Sequence, residues 1–270
     1  MKIWKNTNTL DGYDDGLNFT ENSSEAEIAL LGSKPIKLEN FKNLKGIFRA
    51  GVGKDNVPEK EAYERGIKVR FPSTDTVNII FNETATYTCS LIFKMFYGNV
   101  GTINPWVKNK RIEIKDKLLL VIGGGNIGGR VADYMTPFMN VSVFDILYKS
   151  LSDLPKLIKK ADCITLHIPK TDKNETFMDN KKLSIMKKDA VLINTARGNI
   201  VDQNALYEKI KSGKIKAAFD VFWDEPYFGK LTEFDKNQFF MSPHVASTCE
   251  GFLKGCRKGL DKLCSELEND

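Results

Sequence analysis

The stretch LLLVIGGGNIGGRVADYM, residues 118–135, decides the fold. An apolar run of strand character, Leu118 to Ile122, leads directly into glycines at 123, 125 and 128, and a helix-forming segment containing Val131, Ala132 and Tyr134 follows at once. Gly123 permits a tight turn, Gly125 lets the backbone approach a pyrophosphate, and Gly128 allows a helix to pack closely on the strand. The amides of Asn126 and Ile127 open that helix, and such unbonded donors suit phosphate oxygens. The next strand-like run, VSVFD, ends in Asp145, about 20 residues on, where a carboxylate can accept hydrogen bonds from both hydroxyls of an adenosine ribose. Its negative charge opposes the extra 2′-phosphate of NADP, so the segment predicts NAD. Lys149 would soften that repulsion if it folded back, but reads as a surface lysine.

On either side of this unit, apolar runs of strand length alternate with amphipathic stretches of helical period. The first series is MKIWK, EIALLG at 27–32, GIFRA at 46–50 and KVRF at 68–71. The second starts at Lys117 with KLLLVI and continues through VSVFD, CITLH, AVLINT, KAAFD and FFM before Ser242. Repeated βαβ spacing of this kind predicts an α/β protein with parallel sheets. A Rossmann-type, doubly wound dinucleotide-binding domain is expected over 81–246. A smaller α/β domain is expected over 1–80, completed by a terminal helix within 247–270. PSTDT at 72–76 reads as a turn, with a helix from Asn82 through Tyr97.

A chain of 270 residues is long enough for two cores. Its composition, 41% hydrophobic and 28% charged, is that of a globular protein, and no apolar run approaches the ~18 residues of a membrane span. The opening MKIWKNTNTLDGYDDG lacks a signal core, so residence in the cytoplasm is expected. The net charge of +5 arises from 40 basic and 35 acidic residues that are interleaved, which argues against a nucleic-acid stripe. Five cysteines without paired spacing and two histidines predict reduced thiols and no metal site.

Three strings in the second half carry candidate chemistry: INTARG up to Arg197 and Gly198, DVFWDEP with Glu225, and SPH ending at His244. Taken singly, an arginine, a glutamate or a histidine is more often a surface charge or a satisfied structural group. Together they form the set that reduction of a 2-oxo acid by hydride requires: a fixed cation for the anionic substrate, a proton donor for its oxygen, and a partner that tunes the donor.

With these strings the chain resembles the D-isomer-specific 2-hydroxyacid dehydrogenase family. The resemblance runs from GIFRAGVGKDNV at 46–57 through Asn82 and Glu83, the GGGNIGG loop, ADCITLHIPKT at 161–171 and VLINTARGNIVD at 191–202 to DVFWDEP and SPHVAS at 242–247. It implies a flavodoxin-like substrate domain beside the Rossmann domain. It also implies NAD-dependent interconversion of a D-2-hydroxy acid and its 2-oxo acid. By this resemblance Arg197 holds the substrate, His244 protonates its oxygen, and Glu225 stabilises the charged imidazole. Asp220 lies near the nicotinamide, and His167, Thr195 and Ala196 line the cofactor cleft.

The loop Ala50-Gly51-Val52-Gly53 matches the family's substrate loop, whose amides face the carboxylate; a plain β-turn is the other reading. Arg49 resembles the cation that meets phosphate in the phosphoglycerate branch, and equally reads as a solvated charge. The favoured substrate is 3-phosphoglycerate or 3-phosphohydroxypyruvate, with D-lactate and glyoxylate or hydroxypyruvate as alternatives. An NADH-sensing co-repressor is the reading from another class. A homodimer built through 82–116 is also implied, with neither a nucleic-acid nor a membrane partner. The segment ahead of Gly51 is shorter than the family's usual substrate domain, and no regulatory domain is expected after the terminal helix.

Overall fold

Strands β1 (Lys2–Lys5), β2 (Asn18–Phe19), β3 (Ile28–Leu31), β4 (Gly46–Arg49) and β5 (Lys68–Arg70) form one parallel sheet in the order β2-β1-β3-β4-β5. That 2-1-3-4-5 order is flavodoxin-like. In the computed structural model, which describes residues 1–269, β3 and β4 are buried throughout. Alternate residues serve opposite faces of this sheet, as the two-residue period of a strand demands. Ile28, Leu30 and Phe48 join one core, while Ala29, Leu31 and Ile47 join another with Ala62 of helix α1 (Glu59–Glu64).

Helix α2 (Thr74–Tyr97) follows, then a short antiparallel pair, β6 (Gly101–Thr102) and β7 (Val107–Lys108). The second sheet contains β8 (Leu118–Ile122), β9 (Asn140–Phe144), β10 (Cys163–Leu166), β11 (Ala190–Asn194), β12 (Ile215–Phe219) and β13 (Phe239–Met241). Helices α3 (Asn126–Met135), α4 (Leu154–Lys160), α5 (Asn180–Ile185) and α6 (Gln203–Lys211) connect them. All pairs are parallel, in the order β13-β12-β11-β10-β8-β9. Leu120, Ile122, Ile164 and Leu166 point into one core, and Leu119, Val121 and Cys163 into the other. Burial on both faces explains why these strands read as continuous apolar runs. The chain crosses the sheet between β8 and β10, and the carboxyl ends flanking such a switch point are where doubly wound folds bind ligands.

Helix α7 (Glu250–Glu268) completes the first sheet's unit, burying Phe252, Cys256, Leu260 and Leu263 along one stripe. Gly259 makes room for the Phe48 ring, which a Cβ there would meet at 2.6 Å. Two compact units result, Met1–Phe81 with the chain from Ser247 onward, and Asn82–Ala246. Asp270, included in the predicted segment 247–270, lies outside the described residues.

Helix α2 begins at Thr74 where the sequence predicts a turn followed by a helix at Asn82. The polar string is a helix start: Ser73 Oγ accepts from the Thr76 amide at 3.3 Å, and the Ser73 carbonyl accepts from the Val77 amide at 2.8 Å. Serine before a helix serves either purpose, and here its hydroxyl caps. Among the described residues no helix is long and apolar enough to cross a membrane, and no cluster of three metal-binding side chains occurs. All five cysteines are free thiols.

Candidate active site

At the end of β8 the backbone turns through Gly123 with φ +97°, and a side chain there would lie 2.5 Å from the His167 carbonyl oxygen. A Cβ at Gly128 would collide with the Gly123 carbonyl, so helix α3 approaches the turn only because residue 128 lacks one. Gly125 differs, having nothing within 4 Å of the space its Cβ would fill. With no acidic residue in the first turn of α3, the amides of Asn126 and Ile127 open a cradle suited to a pyrophosphate. Asp145 closes its far side, with one carboxylate oxygen accepting from the Gly124 amide at 2.8 Å and the other from Leu147 at 2.9 Å. Exposed Lys149 folds back so that Nζ donates to the Val143 carbonyl at 2.6 Å.

His167 follows β10, with Nε2 2.9 Å from Thr165 Oγ1, and burial pushes its pKa down to about 3. It is therefore a neutral ring beside the glycine turn. After β11, fully buried Asn194 staples the next turn: its Oδ1 accepts from the Ala196 amide at 3.0 Å, and its Nδ2 donates to the Arg197 carbonyl at 2.8 Å. Thr195 donates to Thr88 of α2 at 2.8 Å, since the Thr88 hydroxyl hydrogen is committed to the Thr84 carbonyl at 2.7 Å. The Arg197 guanidinium donates to the Ala196 carbonyl at 2.7 Å. Gly198 packs directly on the Phe222 backbone, which joins the Arg197 turn to the loop carrying Glu225.

His244 and Glu225 meet, with Nδ1 2.8 Å from Oε2, while the other carboxylate oxygen accepts from the Phe222 amide at 3.1 Å. A carboxylate at Nδ1 places the proton there and turns Nε2 to the remaining side of the ring. His244 itself has φ +57°, a conformation that side chains other than glycine adopt rarely. Asp220 holds it there. Completely buried, this carboxylate accepts from Ser242 Oγ at 2.6 Å and from the Val245 and Ala246 amides at 2.9 Å each, bracketing His244 on both sides. Burial raises the Asp220 pKa, opposed by those same hydrogen bonds. Thus Asp220, read as a residue near the nicotinamide, is observed anchoring the 242–246 loop.

The segment Arg49–Gly53 belongs to the other unit. Gly51 has φ +142°, and Arg49 is 6% exposed, its guanidinium turned inward beneath the loop. The solvated charge that the sequence allows as one reading does not describe it.

Residues 100–246 match the sequence profile of the D-isomer specific 2-hydroxyacid dehydrogenase NAD binding domain. Hydroxypyruvate reductase of Thermotoga maritima is 32% identical over 251 residues, 85% of this chain and 80% of that protein. The chain belongs to the D-isomer specific 2-hydroxyacid dehydrogenase family. Members are NAD-dependent oxidoreductases, and the cofactor is NAD. D-3-phosphoglycerate dehydrogenase of Methanocaldococcus jannaschii is 35% identical over 210 residues, but the chain spans only 39% of its length. In fold the chain is similar to D-lactate dehydrogenase from Aquifex aeolicus, solved with NAD and lactic acid, at a TM-score of 0.80, 23% identity and coverage of 100% of this chain and 96% of that one.

Several residues of this dehydrogenase's site escape sequence reading. Asn194 and Ser242 lie beside quoted motif residues, yet only the backbone path shows what they hold. Tyr87 lies near Ser242, and burial pushes its phenol above the ordinary value. Neither Tyr87 nor Thr88 carries a motif; what marks them is α2 passing beside β11 and the 242–246 loop.

Proposed function

We propose that this chain reduces a short, unphosphorylated 2-oxo acid to its 2-hydroxy acid, the D isomer where the product is chiral, with NADH and catalyses the reverse oxidation. The reading is carried by the 2.8 Å pairing of His244 with Glu225 on a loop held at both flanks by Asp220. Gly123 to Gly128 with Asp145 hold the dinucleotide, and His167, Thr195 and Ala196 line its nicotinamide end. When bound, NADH supplies the hydride. His244 carries the transferable proton at Nε2 and gives it to the substrate oxygen; in the oxidative direction it takes the proton back while Glu225 stabilises the imidazolium. Arg197 offers a planar fork to the carboxylate and carbonyl oxygens, and the Gly51, Val52 and Gly53 amides receive the carboxylate.

Glyoxylate and hydroxypyruvate are preferred to 3-phosphohydroxypyruvate because Arg49, the cation that favours a phosphate in the sequence, is buried. Residues 1–80 and the terminal helix serve as the substrate domain and 81–246 as the NAD domain. The working form is a cytoplasmic homodimer, supported by apolar side chains exposed between Val100 and Ile112. NADH consumption with glyoxylate, hydroxypyruvate, pyruvate and 3-phosphohydroxypyruvate tests the reading. The first two should give the highest kcat/KM, and tight NADH binding without turnover of any of the four would eliminate it.

A further inference from the structure

The cation of FRAGVGK is built into the floor of its own loop. Arg49 Nε donates to Asn56 Oδ1 at 3.2 Å, and Nη1 donates to the Ala50 carbonyl oxygen. A Cβ on Gly51 would lie 2.5 Å from Nη1 and 3.1 Å from Cζ, so the guanidinium fills the space that the missing side chain leaves. Asn56, only 8% exposed, relays the contact, with Nδ2 donating to the Gly32 carbonyl at 2.7 Å and to the Lys34 carbonyl at 2.9 Å. Asn6, just past β1, accepts from the Gly32 amide at 2.9 Å and donates to Lys34 at 2.9 Å. One guanidinium and two amides therefore bind the loop to the carboxyl ends of β1, β3 and β4.

We propose that Arg49 is a positioning residue that fixes the Gly51–Gly53 amides rather than a contact for a substrate phosphate. This rests on the reading that those amides receive the substrate carboxylate. Donors held in place before the ligand arrives bind it without reorganising, and removing a buried partner leaves the acceptors it served unsatisfied. Because every 2-oxo acid carries the same carboxylate, loosening the loop should harm all of them alike.

Hydrogen–deuterium exchange of the ligand-free protein tests the placement. In Arg49→Met the amides of residues 51–54 should exchange about tenfold faster than in the parent, since their protection depends on local opening. Gly51→Ala, which forces the guanidinium out, should do the same, and Arg49→Lys should restore part of the protection. KM should rise about tenfold for glyoxylate, hydroxypyruvate and 3-phosphohydroxypyruvate alike, with kcat within about threefold, the pattern of lost uniform binding. The double variant should be little worse than Gly51→Ala alone, because the alanine, strained in its own right at φ +142°, already displaces the guanidinium. NADH affinity should be unchanged.

A KM increase confined to 3-phosphohydroxypyruvate would make Arg49 a phosphate contact and overturn the proposal, as would unaltered exchange in Gly51→Ala and Arg49→Lys. Those two variants decide the matter if Arg49→Met does not fold. A parent protein inactive on every oxo acid would remove the functional reading alone, because the exchange result stands without turnover.

Discussion

His244 occupies a backbone conformation that costs about 1–3 kcal/mol in a residue with a side chain, and the hydrogen bonds from Val245 and Ala246 to Asp220 hold it there. Strain held in place by a buried carboxylate fits an acid/base residue whose ring must keep one orientation. Replacing His244 by Ala should lower kcat about a thousandfold, within the range expected for a lost general acid, and should leave NADH affinity within about twofold. A variant keeping most of its rate would free His244 from that role. Glu225→Gln keeps a hydrogen-bonding group at Nδ1 but loses the charge, so its rate should fall between those of the parent and His244→Ala. The residue types were legible in the sequence because their chemistry is particular. What each side chain does with its partners was not: Arg49 stands in a phosphate-like string, and only its path beneath Gly51 reveals that it is turned inward.

Strands β8, β10 and β11 announce themselves because a parallel strand buried on both faces needs a largely apolar run. Short elements carry no such pattern. β2, β6 and β7 each have two residues, too few to show alternation, and the start of α2 was hidden in a polar string that serves turns and caps equally. The glycine turn is the opposite case, since its spacing states its geometry. Gly128→Ala would press a methyl group onto the Gly123 carbonyl, a backbone atom that cannot move aside without shifting the turn or α3. NADH affinity should fall at least about tenfold, with a stability loss of roughly 1–3 kcal/mol from overpacking. Gly125→Ala meets open space, so it should leave stability nearly unchanged while still weakening NADH. Equal thermal stability in the two variants would contradict this division of labour between the glycines.

Most of the large apolar side chains exposed among the described residues fall in two stretches of the chain. Among the described residues, Val100, Ile103, Trp106, Val107 and Ile112 are exposed within one stretch, Ile103 at 78% and Trp106 at 72%. Ile146, Leu147, Tyr148 and Leu151 form a second group directly after Asp145. Exposed apolar side chains grouped in this way suit contact with something else. The second group adjoins the carboxylate proposed for the adenosine ribose and would suit the flat adenine; the first is the stretch offered for the proposed homodimer. The two assignments separate cleanly by experiment. Sedimentation should give twice the 30.5 kDa chain mass for the parent protein, and Trp106→Asp should reduce it to one chain, because burying an unpaired carboxylate in an apolar interface is strongly opposed. Leu147→Asp should weaken NADH binding at unchanged mass. A Trp106→Asp protein that keeps the double mass would exclude this stretch as the dimer contact, and an Ile103→Asp protein behaving the same way would exclude it twice over.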